Sequence, residues 1–92
     1  MKFQGGRVVA TRAVAIWMDE NGDVARQGVG EALHRHFDGD WGEMCPEDKR
    51  VNDQALKDGA RLMSSYTIDD RKVWIITEWD RSVTTVLFPE DY

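Results

Sequence analysis

The sequence predicts an α+β domain of order β-α-α-α-β-β-β: a curved antiparallel sheet of about four strands with helices packed on one face. Three observations predict it. The last third alternates with strand period in three runs, RLMSSYTI (61–68), KVWIITEW (72–79) and SVTTVLF (82–88). The turns between those runs are too short for anything but antiparallel neighbours. The middle third repeats its apolar residues every three or four positions, which is helical spacing.

The elements follow in order. Arg7–Thr11 is a short β-branched run after the Gly5-Gly6 break and reads as the first strand. Thr11 then caps a helix over 12–20, stopped by Asn21-Gly22. Val14, Trp17 and Met18 fall on one face of that helix; a longer strand over 8–17 is the competing reading. A second helix spans 29–37, with Gly28 as its N-cap, Val29, Leu33 and Phe37 as its apolar stripe, and Ala32 and His36 beside the stripe. Gly30 costs this helix about 1 kcal/mol against Ala, so it leans on tertiary packing. The third helix spans 46–58, with Pro46, Glu47 and Asp48 suited to its first turn and Gly59 to its end. Its core face is read as Val51, Ala55 and Leu56.

Asp69-Asp70-Arg71 and Asp80-Arg81 supply the turns among the last three strands, and Pro89 ends the final one. The middle strand is apolar on both sides: Val73, Ile75, Thr77 and Trp79 on one, Trp74 and Ile76 with Glu78 on the other. Helices enough for only one face leave the other for a second subunit, which is the physical reason to expect a homodimer.

Composition narrows the function. At 92 residues the chain supports one core, and 1–92 is a single domain. A lone cysteine, Cys45, forms no internal disulfide, and no run approaches a membrane span. Arg7, Arg12 and Asp19 interrupt the N-terminal apolar stretch, so it is not a signal peptide. A cytoplasmic protein with no membrane partner is expected. Net charge is −5, and residues 38–58 carry seven acids against Lys49, Arg50 and Lys57. A nucleic-acid binder shows the reverse, a basic patch, so direct nucleic-acid binding is disfavoured.

Chemistry-bearing residues concentrate in HRHFDGDWGEMCPED (34–48). His34 and His36 are two apart and diverge on a helix, and Cys45 has no nearby partners at ligand spacing, so no metal is implied. Asp38-Gly39-Asp40 begins like a calcium loop, but Gly42 occupies a ligand position. Cys45 precedes Pro46 at a helix N-terminus, which favours a thiolate, yet acids surround it and no base is in place. There is no nucleophile elbow and no phosphate loop. Asp38, Asp40 and Glu43 can approach one another, but general acid–base work needs a pocket that shifts their pKa values. Trp41 and Trp79, one in a glycine-flanked loop and one beside Asp80-Arg81, fit either buried anchors or a recognition surface. The balance expects neither catalytic residues nor a cofactor.

FQGGRVVAT near the start, GDWGE at 39–43, EDKRVNDQALKDG at 47–59 and WIITEWDRSVTTVLFPEDY at the end occur in an order that resembles a family of small proteins from plasmids, phages and integrated mobile elements. Its members often carry the labels plasmid-related protein or type I restriction endonuclease subunit M. A methyltransferase subunit would be far longer and would hold a cofactor-binding glycine loop. The resemblance implies a genetic context rather than an activity. The chain departs from the family pattern at Trp79, where a small residue is usual, and at Ala15-Ile16-Trp17-Met18, where a Leu/Glu-rich helix is usual.

The expectation is a non-enzymatic protein-binding module, in that context an acidic inhibitor of a host defence nucleoprotein complex of anti-CRISPR or anti-restriction type. Asp38, Asp40, Glu43, Glu47 and Asp48 would occupy a surface built for phosphates, with Trp41 as anchor and Trp79, Asp80 and Arg81 as further contacts. A regulatory or plasmid-maintenance homodimer is the alternative, and a small hydrolase-like enzyme using Cys45 or the carboxylates with His36 ranks below both.

Overall fold

A four-stranded sheet of order β1-β4-β3-β2 organises the molecule, whose computed structural model describes residues 1–92. The elements are β1 (Arg7–Ala10), α1 (Arg12–Phe37), α2 (Pro46–Asp58), β2 (Leu62–Ile68), β3 (Arg71–Thr77) and β4 (Val83–Leu87), followed by a 3-10 turn at Pro89–Asp91. The α+β class is as expected. The sheet is mixed, though: β1 lies parallel to β4, while β2–β3 and β3–β4 are antiparallel. A parallel neighbour requires a long crossover, and here α1, α2 and the β2–β3 hairpin all intervene.

The two helices expected over 12–20 and 29–37 belong to one element. α1 is interrupted only at Gly22 (φ 61°, ψ −137°), and Thr11 caps it by accepting the Val14 amide proton. Asn21-Gly22 was therefore a true local stop, but helix resumes at once and buries Ala25. Gly28 lies inside α1 rather than capping a helix. A Cβ there would collide with Ile68, so the glycine lets α1 press against β2. That contact sets the rotation of the helix: beyond Gly28 its buried residues are Val29, Ala32 and His36, with Leu33 packed at the margin. Val29 and Ala32 join Val14, Tyr66, Ile68, Val73, Ile75, Val86 and Phe88 in the main core.

α2 runs along the outer edge of β2. Asn52 binds the Met63 backbone twice, Nδ2 donating to its carbonyl (2.6 Å) and Oδ1 accepting from its amide (3.1 Å). Those bonds turn α2 so that Asn52 and Ala55 are buried and Val51, assigned to the core from sequence, is 65% exposed. Ala55 closes a second small cluster with Trp41 and Leu62. The β2–β3 hairpin turns at Asp69 (φ 50°) and Asp70 (φ 63°), the left-handed pair that a two-residue turn needs. β3 ends at Thr77, so Trp79 lies beyond the strand.

The far face of the sheet has no helix over it, but the chain closes part of it with its own C-terminus. Tyr92 meets Trp74 edge-on (5.8 Å between centroids), and its hydroxyl accepts a hydrogen bond from Arg61 (3.0 Å). No helix is long and apolar enough to cross a membrane.

Candidate functional site

The stretch 34–48 leaves the end of α1, passes under the edge of β2 and enters α2. Asp38 ends α1 and Gly39 (φ 80°) turns the chain out of it. Trp41–Glu43 then run beside β2: the Trp41 carbonyl accepts from the Ser65 amide (3.3 Å), and the Glu43 amide donates to the Ser65 carbonyl (2.7 Å). Tyr66 Oη donates to the Asp40 carbonyl (2.6 Å) and ties this segment to the sheet. Burial pushes the Tyr66 phenol up to about 12, so it stays protonated and keeps donating.

The acids of this stretch are largely engaged within the molecule. Asp38 holds the N-terminal ammonium (3.2 Å) and meets His34 Nε2 (3.2 Å). Asp40 takes a two-pronged contact from Arg35, Nε to Oδ2 at 2.8 Å and Nη2 to Oδ1 at 3.2 Å. The Arg35 hydrogen bond holds the Asp40 carboxyl below its ordinary range, and Asp40 in turn raises the guanidinium. Glu43 accepts from the Thr67 hydroxyl (3.0 Å) and stands 3.7 Å from Lys72. Glu47 and Asp48 remain exposed on the first turn of α2, unpaired. These two are the exposed acids of the stretch without a cation partner, while Asp38, Asp40 and Glu43 lie at the surface already paired.

Trp41 is 2% exposed; it packs edge-on against His36 and its Nε1 donates to Asp53 (2.9 Å), so it is a core residue rather than an anchor. Arg81 turns inward and donates to the carbonyls of Ala60 (2.6 Å), Ala55 (3.1 Å) and Glu78 (3.1 Å). It adds a side-chain donor to the Ala55 carbonyl, which already accepts from the Gly59 and Ala60 amides at the end of α2, and so ties that end to the turn after β3. Asp80 accepts from both the amide (3.1 Å) and hydroxyl (2.6 Å) of Ser82, which shapes the turn, and these bonds lower its pKa. Asp80 is exposed as well, and Trp79 faces outward with 67% of its surface exposed.

His36 is fully buried in a chain of side chains whose donors can be assigned. Thr84 Oγ1 donates to the Gly5 carbonyl (2.8 Å), so it accepts from Thr77 Oγ1 (2.7 Å). Thr77 then accepts from His36 Nε2–H (2.9 Å), which leaves Nδ1 to accept from the Ser64 hydroxyl (2.5 Å). A Ser–His pair of this kind resembles half of a catalytic dyad. Here Ser64 and His36 are both 0% exposed, and the direction of donation locks the neutral ring. Burial, with a contribution from nearby Arg81, drops His36 to about 4. No three His, Cys, Asp or Glu side chains converge as metal ligands, and Cys45 is exposed at the α2 N-cap.

One concavity exists, a groove of about 350 Å³ between the second half of α1 and the end of β2. Val24, Gln27, Gly28, Glu31, Ala32 and Arg35 form its helical wall; Tyr66, Thr67 and Ile68 form its strand wall. Arg35 closes one end, its guanidinium 4.9 Å from the Tyr66 ring centroid and clamped by Asp40. The segment that sequence marked thus reaches the groove through Arg35, with Asp40 and Glu43 holding the lining residues Arg35 and Thr67 from outside. The groove itself was not foreseen. Its one local sign is Gly28, a costly glycine within a helical pattern, which permits the close helix–strand approach. No family model, curated protein or solved structure matches the chain.

Proposed function

We propose that this chain is a non-enzymatic protein-binding module and that it takes its partner in the groove between α1 and the edge of β2. One observation carries the reading: the sole concavity combines the aliphatic side chains of Val24, Ala32 and Ile68 with the charges of Glu31 and Arg35 and is bordered by a strand edge. That combination serves recognition of a chain segment better than bond-breaking, because the titratable pair with catalytic resemblance is sealed elsewhere in the core. The likeness to mobile-element proteins adds a context, in which the partner belongs to a host defence nucleoprotein complex. Within that context, mimicry of phosphates by surface acids rests on Glu47 and Asp48, since Asp38, Asp40 and Glu43 are held by cations of the chain itself.

The test is recovery of a specific partner from the host by the tagged protein and by two variants. Val24→Glu places a charge on the exposed wall of the groove without touching the core; the partner is expected to be lost while far-UV circular dichroism is unchanged. Glu47→Gln with Asp48→Asn is expected to retain it. The opposite pattern, capture kept by the groove variant and lost by the acid variant, replaces groove docking with acidic mimicry.

A further inference from the structure

We infer that the groove takes an extended, basic peptide segment, which adds to the sheet as a strand on the free edge of β2 at Thr67. The inference rests on the groove being the docking site and names what enters it.

The backbone of β2 supplies the first argument. Alternate residues of an edge strand point their N–H and C=O away from the sheet. On β2 those residues are Met63, Ser65 and Thr67. Met63 is satisfied by Asn52, and Ser65 by Trp41 and Glu43. Thr67 is the next position along, and neither its amide nor its carbonyl is among the bonds that loops and caps make. The segment Trp41–Glu43 pairs at Gly42 with Ser65 in a single parallel bridge, and Pro46 then turns the chain into α2. The molecule thus covers its own edge up to Ser65 and leaves the stretch that borders the groove open. An exposed backbone pair beside a partly apolar trough is the arrangement that strand addition uses: main-chain bonds give affinity, and alternate side chains enter the trough.

Charge supplies the second argument. Around the open edge stand Glu31, Asp40, Glu43 and, in the turn that follows Ile68, Asp69 and Asp70. The cations there are Arg35, committed to Asp40, Lys72, beside Glu43, and Arg71, committed to Glu90. Glu31, Asp69 and Asp70 make no ion pair. A segment with lysine or arginine flanking aliphatic residues complements this rim, with its aliphatic side chains on Val24, Ala32 and Ile68. An acidic segment meets unscreened like charge. The preferred ligand class is thus a basic β-type peptide, the kind of strand found at surfaces that hold nucleic acid.

The test titrates the 15N-labelled full chain with acetyl-Lys-Val-Arg-Val-Lys-amide and with its counterpart carrying Glu at the three basic positions. Amide shifts are expected to concentrate on Gly28, Glu31, Thr67 and Ile68. The acidic peptide should bind at least about tenfold more weakly, and added salt should narrow that gap. Thr67→Pro deletes the free N–H at a position where an edge strand tolerates proline, and should abolish the shifts. Should that variant fold poorly, two N-methylated peptides leave the protein untouched: methylation at both valines removes the amide donors of one edge of the peptide strand, methylation at its two lysines and arginine those of the other, and binding should be lost with the edge that faces β2. Shifts that map elsewhere, equal binding of the basic and acidic peptides, or insensitivity to both N-methylations overturn the inference. With the native partner, loss of capture by Val24→Glu but not by Thr67→Pro keeps the groove as docking site and removes strand addition.

Discussion

His36 occupies a position where a titratable ring has been made a structural joint. It sits between Ser64 on β2 and Thr77 on β3, with Thr84 on β4 next in line, so one imidazole links α1 to three strands. Protonation would set Nδ1–H against a donor already aimed at it and place a charge in the core. Its pKa, lowered by burial to about 4, lies below the ordinary 6.5 of the unfolded chain. The unfolded state therefore takes the proton first. The stabilisation is complete above pH 6.5 and declines as pH falls through 4, by about 2 kcal/mol at pH 5 and about 3 kcal/mol at pH 4. Urea midpoints measured across that range should fall accordingly, and the His36 ring signals should stay neutral in the folded protein until the low end. His36→Gln should lower stability at neutral pH yet flatten the slope between pH 6.5 and 5; an unchanged slope would assign the acid sensitivity to carboxylates instead. Sequence placed His36 beside the core because helical spacing did so. Its central role comes from partners 28 and 41 residues away, which no local pattern displays.

Among the elements, α1 is where local signals and tertiary packing diverged. Asn21-Gly22 has the chemistry of a helix stop, and Gly22 does leave helical geometry. The helix resumes because Ala25, Val29 and Ala32 have a sheet to lie against, and packing outweighs a poor local propensity. Two glycines of this helix make opposite predictions. At Gly22 a Cβ meets nothing within 4 Å, so the difficulty is backbone alone: φ 61° with ψ −137° suits glycine and strains any other residue. Gly22→Ala should destabilise by about 1–3 kcal/mol. Gly30 also has open space around it, but it carries no left-handed φ, so Gly30→Ala should stabilise by about 0.5–1 kcal/mol. Chemical denaturation of both variants checks the pair. Equal effects of one sign would mean that α1 does not break at Gly22. The strands were more legible, since 61–68, 72–79 and 82–88 lie close to β2, β3 and β4. Only the end of the second moved by more than one residue, because Glu78–Ser82 are drawn into the turn that Asp80 and Arg81 hold.

For the whole molecule, the alternation of the last three strands disclosed a β2–β3–β4 meander, and the first strand was found as well. What stayed hidden was where β1 docks. Its pairing of Val8 with Thr84 and Ala10 with Val86 joins distant parts of the chain, and a four-residue run has no pattern that selects a parallel partner. The groove was hidden for the same reason, being made by α1 meeting β2. The apolar far face was legible, and it suggested a second copy of the chain. In the folded protein Ile76 and Leu87 on that face are already 4% and 5% exposed, and Tyr92 shields Trp74. An interface draws its stability from apolar surface removed from water, and the most apolar side chains of this face are covered before any association. That predicts a monomer in sedimentation equilibrium. Tyr92→Ala removes the one aromatic cover and should shift Trp74 emission to the red; any new association should appear only in that variant. A dimer of the unaltered chain, dispersed by Leu87→Lys, would instead restore the far face as an interface and make the C-terminal residues part of it.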